Sequence, residues 1–236
     1  MSEFDATQWS VVLAAVDSQS VVARKALATL CETYWQPLYV YVRHRGYSRE
    51  EAEDLTQEFF TCLIQRDGLR NVRKELGRFR SFLLVSLRNF LADEWDRSHA
   101  QKRGGDNPTI SMDFSTVEVT IASAARNHST PESIYEKAWA HTVLSAVLDR
   151  VEREYAESGR AEIFELLKDL IVDPGSVPPY QELADHLGMS EGAVKTAAHR
   201  LRKRYRRALK EHVAQTLDDP SEVDDEIRHL ISVLAG

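Results

Sequence analysis

Residues 180–207, YQELADHLGMSEGAVKTAAHRLRKRYRR, decide how this part of the chain folds. Leu183 and Leu187 mark one face of a short helix, and Gly188 can take the left-handed conformation that ends it. Ser190 is a good N-cap for the helix that follows. Because Ala184 is small, the two helices can cross closely. The stretch therefore predicts a helix-turn-helix.

The second helix of this motif has an apolar and a basic face. Helical spacing predicts that the inward residues are Val194, Ala198, Leu201, Tyr205 and Leu209. Together with Ser190 at the helix start, the outward residues are the candidates for reading DNA: Lys195, Thr196, His199, Arg200 and Lys203. A solvated basic face is the ordinary explanation for such a run. The glycine turn, the cap and the small crossing residue favour DNA binding.

The charge of the chain is distributed unevenly. The net charge of −7 by itself argues against a nucleic-acid binder. Residues 195–210, however, hold eight lysines and arginines and no acid, whereas residues 211–236 hold seven acids and one arginine. The acidity is thus separated from the basic helix. An apolar stripe in the acidic tail predicts a last amphipathic helix: Val223, Ile227, Leu230 and Leu234. Either this helix folds back with its acids near residues 202–210, or it completes the core of the C-terminal domain or stays loose.

Several classes of function find no support in the sequence. The only cysteines, Cys31 and Cys62, lie in apolar helical patterns, which favours buried free thiols in a reducing cytoplasm. No metal-ligand spacing, nucleophile–base pair or phosphate-binding glycine loop occurs, so we expect no cofactor, no metal and no enzymatic activity. No apolar run is long enough for a membrane span or a signal peptide, and we expect a cytoplasmic protein.

A capping box opens a helix in the N-terminal half of the chain. Ser48 is its N-cap and Glu51 reaches back, and the helix runs to about residue 64. Its core stripe is predicted to hold Ala52, Leu55, Phe59 and Cys62. A second stripe is polar and acidic, and consists of Asp54, Gln57, Glu58 and Thr61. Solvation is the ordinary explanation for such a stripe.

A basic loop, residues 66–81, precedes a strongly apolar helix from Phe79 to about Asp96. Phe82, Leu83, Leu87, Phe90 and Leu91 are predicted to be core residues, while Arg88 and Asn89 lie on a polar strip. Helical periodicity is then lost until about residue 131. We therefore predict an all-α protein with two small helical domains. These are residues 1–103 and 132–212, joined by a flexible linker at 104–131 and followed by an acidic extension at 213–236 with a short helix.

Three motifs in this order resemble one family. Residues 50–60, EEAEDLTQEFF, resemble the sigma region 2 helix that docks on bacterial RNA polymerase. Residues 77–83, GRFRSFL, and the helix through Asn89 resemble the part of region 2 that opens the promoter −10 element. Residues 136–210 resemble region 4, whose helix-turn-helix reads the −35 element. The chain is thus similar to the extracytoplasmic-function (ECF) group of RNA polymerase sigma factors.

The resemblance implies partners for each surface. It implies that polymerase core is contacted at its β′ clamp helices and β flap, with an interface formed by Glu53, Asp54, Gln57 and Glu58. It implies that melted −10 DNA is bound by Arg73, Arg80, Arg88 and Asn89. An anti-sigma factor or another regulator is left open as a further partner, and no membrane contact is implied. The alternative is a stand-alone helix-turn-helix transcriptional regulator, which gives the acidic stripe no role.

Overall fold

The computed structural model of the chain describes residues 21–65, 78–100, 130–172, 178–217 and 219–235. All regular structure in these ranges is helical, as predicted, and they contain no strand. The helices are α1 (Val21–His44), α2 (Arg49–Gln65), α3 (Phe79–Ala100), α4 (Pro131–Glu157), α5 (Ala161–Leu167), α6 (Asp169–Val172), α7 (Tyr180–Leu187), α8 (Glu191–Thr216) and α9 (Val223–Ala235), with a 3-10 turn at Pro220–Glu222. Arg73, the basic loop at 66–77 and the linker residues 104–129 lie outside the described residues.

Local capping sets the boundary between α1 and α2. Gly46 has a φ of 98° in the turn after α1, a conformation that side chains other than glycine rarely adopt. The capping box is present as predicted. The backbone N–H of Ser48 donates to Glu51 Oε2 over 2.8 Å, and the backbone N–H of Glu51 donates to Ser48 Oγ over 3.2 Å. These bonds satisfy N–H groups that the first helical turn leaves without partners.

The helices form two compact units. The first, unit 1, holds α1 to α3, α4 as far as Thr142, and the described residues from Val213 onward. Its core is rich in aromatic side chains that meet edge to face. Tyr34 lies 5.3 Å from Phe79 between ring centroids, and Tyr41 lies 6.5 Å from Tyr135. α1 runs through Pro37 without a break in the helix.

Two polar residues of α2 are more buried than their pattern suggests. Thr61, predicted for the polar stripe, is only 7% exposed, and Thr56 is fully buried. The Thr61 hydroxyl donates to the backbone carbonyl of Gln57 over 2.9 Å. Because that bond satisfies the hydroxyl within the helix, its methyl group can pack inward. Leu55 and Cys62, predicted for the core, are only partly buried. Phe82 and Phe90 of α3 are likewise partly exposed, whereas Leu83, Leu87 and Leu91 are buried.

The second unit, unit 2, spans Val143–His212 and contains the stretch predicted to form a helix-turn-helix. Its buried residues come from all of its helices: Val147 and Val151 of α4, Phe164 and Leu167 of α5, Leu170 of α6, Leu183 and Ala184 of α7, and Val194, Ala198 and Leu201 of α8. The Tyr205 hydroxyl donates to the backbone carbonyl of Leu144 over 3.4 Å. Burial raises the pKa of Tyr205 to about 12. The domain limits at 103, 132 and 212 stay predictions.

No helix in the described ranges is long and apolar enough to cross a membrane.

Candidate nucleic-acid and polymerase interfaces

The turn between α7 and α8 has the predicted geometry. Gly188 ends α7 with a φ of 61°, in the left-handed region. The next backbone N–H, that of Met189, donates to the carbonyl of Ala184 over 3.0 Å. Ser190 Oγ then accepts the backbone N–H of Ala193 over 3.3 Å, so Ser190 caps α8. Unit 2 therefore contains the two predicted helices and the glycine turn between them, and their assignment as a DNA-reading helix-turn-helix stays a prediction.

The inward and outward faces of α8 also follow the prediction. Val194, Ala198 and Leu201 are fully buried. All six candidate DNA readers are exposed: Ser190, Lys195, Thr196, His199, Arg200 and Lys203. Some of their polar groups already have partners within unit 2. The Lys195 ammonium lies 2.7 Å from Glu191, a contact that raises the pKa of Lys195, and the Thr196 hydroxyl donates to the carbonyl of Gly192 over 2.9 Å.

Six lysines and arginines of α8, leaving aside Lys195 and Lys210, fall into two groups. Arg204 and Arg207 form ion pairs with acids of unit 2, Glu154 and Glu211 respectively. Four others are exposed, and within the described residues they have no ion-pair partner: Arg200, Arg202, Lys203 and Arg206. The sequence shows one continuous basic run, but only part of it is available to an anionic ligand.

An exposed face of α3 carries Arg88 and Asn89, both predicted to bind −10 DNA. Val85 and Trp95 lie on the same face by helical spacing and are 55% and 59% exposed. Neither residue was named from the sequence as part of this face. Trp95 lies seven residues, or about two helical turns, after Arg88, and that spacing could have indicated it. A cationic, an amide and an aromatic side chain on one helix face are groups that can hold a phosphate and stack on an unpaired base.

Arg80, the remaining described candidate for −10 DNA, lies in a different environment. It is only 4% exposed, at the N-terminus of α3. Its guanidinium forms ion pairs with Glu136 of α4 and Glu226 of α9. The tail acid Glu226 therefore pairs with arginines of unit 1, and the expectation that the acids of the tail lie near residues 202–210 stays a prediction. The sequence predicted the tail helix but had no means of identifying its partner.

The acidic stripe of α2 is largely solvent-facing. Asp54 is exposed, and Gln57 and Glu58 are partly exposed. Glu53 accepts a hydrogen bond from Arg49 Nε over 2.8 Å, a bond between two side chains of the same helix. This face presents carboxylates that could pair with arginines of another protein.

A known protein resembles this chain over much of its length. It is the ECF RNA polymerase sigma factor BldN of Streptomyces coelicolor, 26% identical over 176 residues. This chain resembles a sigma factor. The likeness covers 74% of the chain and 57% of BldN, so the chain spans little more than half the length of that relative. No family profile matches the chain, and no solved structure matches it. The likeness to BldN supports a sigma-factor role in general terms.

Proposed function

We propose that this chain is a promoter-specificity subunit, which binds bacterial RNA polymerase core and directs transcription initiation at chosen promoters. The observation that carries the proposal is the exposure of all six candidate DNA readers on one capped helix-turn-helix. The likeness to a sigma factor supports the same role. The polymerase core would carry out the chemistry, and this chain would supply recognition.

Duplex −35 DNA would be read by α8 in the major groove. The exposed side chains near the start of the helix reach base edges, and those further along reach phosphates. Arg200 has the fork of donors that pairs with guanine O6 and N7, while Lys203 suits a phosphate. Arg202 and Arg206, also without described ion-pair partners, add to the phosphate contacts.

Melted −10 DNA would be held by the exposed face of α3. Arg88 suits a phosphate of the separated strand, and Asn89 can form hydrogen bonds with the edge of an unpaired base. Trp95 offers a surface on which such a base can stack. Base–aromatic stacking contributes about 1–3 kcal/mol per base, which helps to offset the loss of stacking in the duplex.

Polymerase core would bind an interface on α2 formed by Glu53, Asp54, Gln57 and Glu58. The β′ clamp helices are the proposed partner, and the β flap is the proposed partner of unit 2. Charge complementarity of this kind speeds association and selects the partner.

Reconstitution with core polymerase tests the proposal. The full chain is mixed with core enzyme, passed over a sizing column, and then assayed for run-off transcription on genomic promoter fragments from the same bacterium. Co-elution and promoter-dependent transcripts are expected. If the chain instead binds palindromic DNA as a dimer and never joins core enzyme, it is a stand-alone regulator and the proposal is wrong.

A further inference from the structure

A fully buried carboxylate of α9 lies between two arginines. Glu226 is 0% exposed. Its Oε1 forms an ion pair with Arg80 Nη1, and its Oε2 lies 2.9 Å from Arg78 Nη1 without the alignment of a hydrogen bond. Each arginine thus contacts a different oxygen of the same carboxylate. Two guanidinium groups that converge in this way form a site for an anion with two or more oxygens, a description that also fits a phosphate group.

The rest of the cluster holds Arg80 in place independently of α9. Arg80 Nε donates to Glu136 over 2.9 Å, and its guanidinium carbon lies 4.3 Å from the centroid of the Trp139 ring. The Tyr135 hydroxyl donates to the backbone carbonyl of Arg80 over 2.9 Å. The arginine is therefore oriented by α4, and α9 supplies only the second anion.

In the described part of the chain, two residues of α9 are buried, Glu226 and Leu230. Leu230, one turn after Glu226, is 1% exposed, whereas Ile231 is 59% exposed. His229 Nε2 lies 3.1 Å from Glu136 Oε2. α9 has only 13 residues, a length at which a helix is marginal on its own. Burial of an ion pair adds little net stability because the loss of hydration offsets the attraction. These features are those of a helix that can be displaced.

Displacement of α9 would change the net charge of the cluster. Arg78 and Arg80 together with Glu136 and Glu226 sum to zero. Without Glu226 the same cluster carries one positive charge, and Nη1 of both arginines loses its partner. Such a site would favour an anion from solution.

We propose that α9 occupies a phosphate site of the −10 region, and that its release makes Arg78 and Arg80 available to the backbone of melted promoter DNA. The proposal rests on the function proposed above and adds its regulation. With α9 docked, Glu226 competes with DNA for the two guanidinium groups. With α9 displaced by DNA or by polymerase core, the phosphate takes the place of the carboxylate.

Two matched variants of the full chain test the competition. Glu226→Gln removes the buried charge with little change of shape, and Asp225→Asn removes one charge from the exposed neighbour, which pairs only with Arg228 in the described structure. Affinity is measured by fluorescence anisotropy for labelled single-stranded oligothymidylate over a salt series. Glu226→Gln should bind several-fold more tightly than wild type. Its salt slope should steepen by about 0.7 for each added phosphate contact. Asp225→Asn should bind like wild type, and Arg78→Gln added to Glu226→Gln should reverse most of the gain.

A second pair keeps the test decisive if Glu226→Gln does not fold. Leu230→Ala removes buried apolar contacts of α9 and leaves all charges in place. Ile231→Ala makes a similar change at an exposed position of the same helix and is the control. Leu230→Ala should tighten DNA binding and Ile231→Ala should not. The proposal is overturned if the folded Glu226→Gln or Leu230→Ala protein binds DNA with the affinity and salt slope of wild type. It is also overturned if the matched control, Asp225→Asn or Ile231→Ala, gains as much affinity. Failure of the proposed function is separate, because in that case no variant, wild type included, joins core polymerase.

Discussion

The Arg204 side chain donates a hydrogen bond to the carboxylate of Glu154, so that a basic residue of α8 is tied to α4 within unit 2. Glu154 also accepts from Arg150 Nε over 3.3 Å. Hydrogen bonding from Arg204, with help from Arg150, holds the pKa of Glu154 below its usual range. Arg204 therefore fastens α8 to α4, whereas Arg200 and Lys203 are exposed.

Arg200 and Lys203 are expected to differ in what they read. A bidentate contact from Arg200 to guanine discriminates by about 1–3 kcal/mol, so Arg200→Ala should relax specificity at one base position. Lys203→Ala should weaken binding to all sequences alike and reduce the salt slope by about one. Selection from a random duplex library with reconstituted holoenzyme measures both effects. Equal losses on every sequence in both variants would show that α8 makes no base contact here.

Substitution of alanine for Gly188 and for Gly192 should change the free energy of unfolding in opposite directions. Gly188 has a φ of 61°, so Gly188→Ala should lower the free energy of unfolding by about 1 kcal/mol or more. Gly192 lies within α8, where alanine is the better helix former, and Gly192→Ala should raise it by up to about 1 kcal/mol. Apart from the local backbone, a Cβ at either position meets no atom within 4 Å, so clash with the surrounding structure does not enter. Urea unfolding followed by circular dichroism measures both, and a stabilised Gly188→Ala protein would contradict the turn assignment.

Asp54 is expected to contribute to polymerase binding and not to folding. Asp54→Arg reverses a charge on the exposed stripe, and affinity for core polymerase should fall by about 2 kcal/mol or more if the contact is desolvated. Asp149→Arg makes the same charge change at an exposed position of α4 in unit 2. Fluorescence titration of labelled core enzyme compares the two, with thermal unfolding as the check on the fold. An unchanged affinity of Asp54→Arg would remove α2 from the proposed interface.

His212 should make unit 2 sensitive to mild acid. Burial, and secondarily the charge of Arg150, lowers the pKa of His212. As pH falls through the ordinary histidine value of about 6.5, the unfolded chain therefore takes up the proton first. The contribution of neutral His212 to the free energy of unfolding should be at its maximum above that pH and should decline below it. His212→Gln should flatten this dependence in melting curves between about pH 7 and about pH 5.

A matched histidine controls for general acid effects. His199→Gln makes the same substitution at an exposed histidine of α8 and serves as the control for the substitution itself. Burial also lowers the pKa of His44 in unit 1, so some dependence should remain in every variant. Identical pH profiles for wild type and His212→Gln would show that His212 takes up its proton equally in the folded and unfolded chain.

Helix ends and helix faces were determined by the sequence alone. The capping box of Ser48 and Glu51, the left-handed Gly188 and the Ser190 cap all depend on groups within five positions of one another. The outward set of α8 follows from helical spacing in the same way. Such signals are local, and no distant part of the chain is needed to satisfy them.

Partners distant in the sequence were decided by the tertiary structure. Arg80 reads as a loop arginine ready for DNA, yet it meets Glu136 and Glu226, 56 and 146 positions away. Thr61, predicted for a polar stripe, is buried, whereas Phe82, predicted for the core, is partly exposed. Periodicity tells which face of a helix is apolar, but not which other helix covers it. Whether a charge meets water, DNA or a buried carboxylate therefore depends on how the helices assemble, because only assembly brings those groups within a few ångströms.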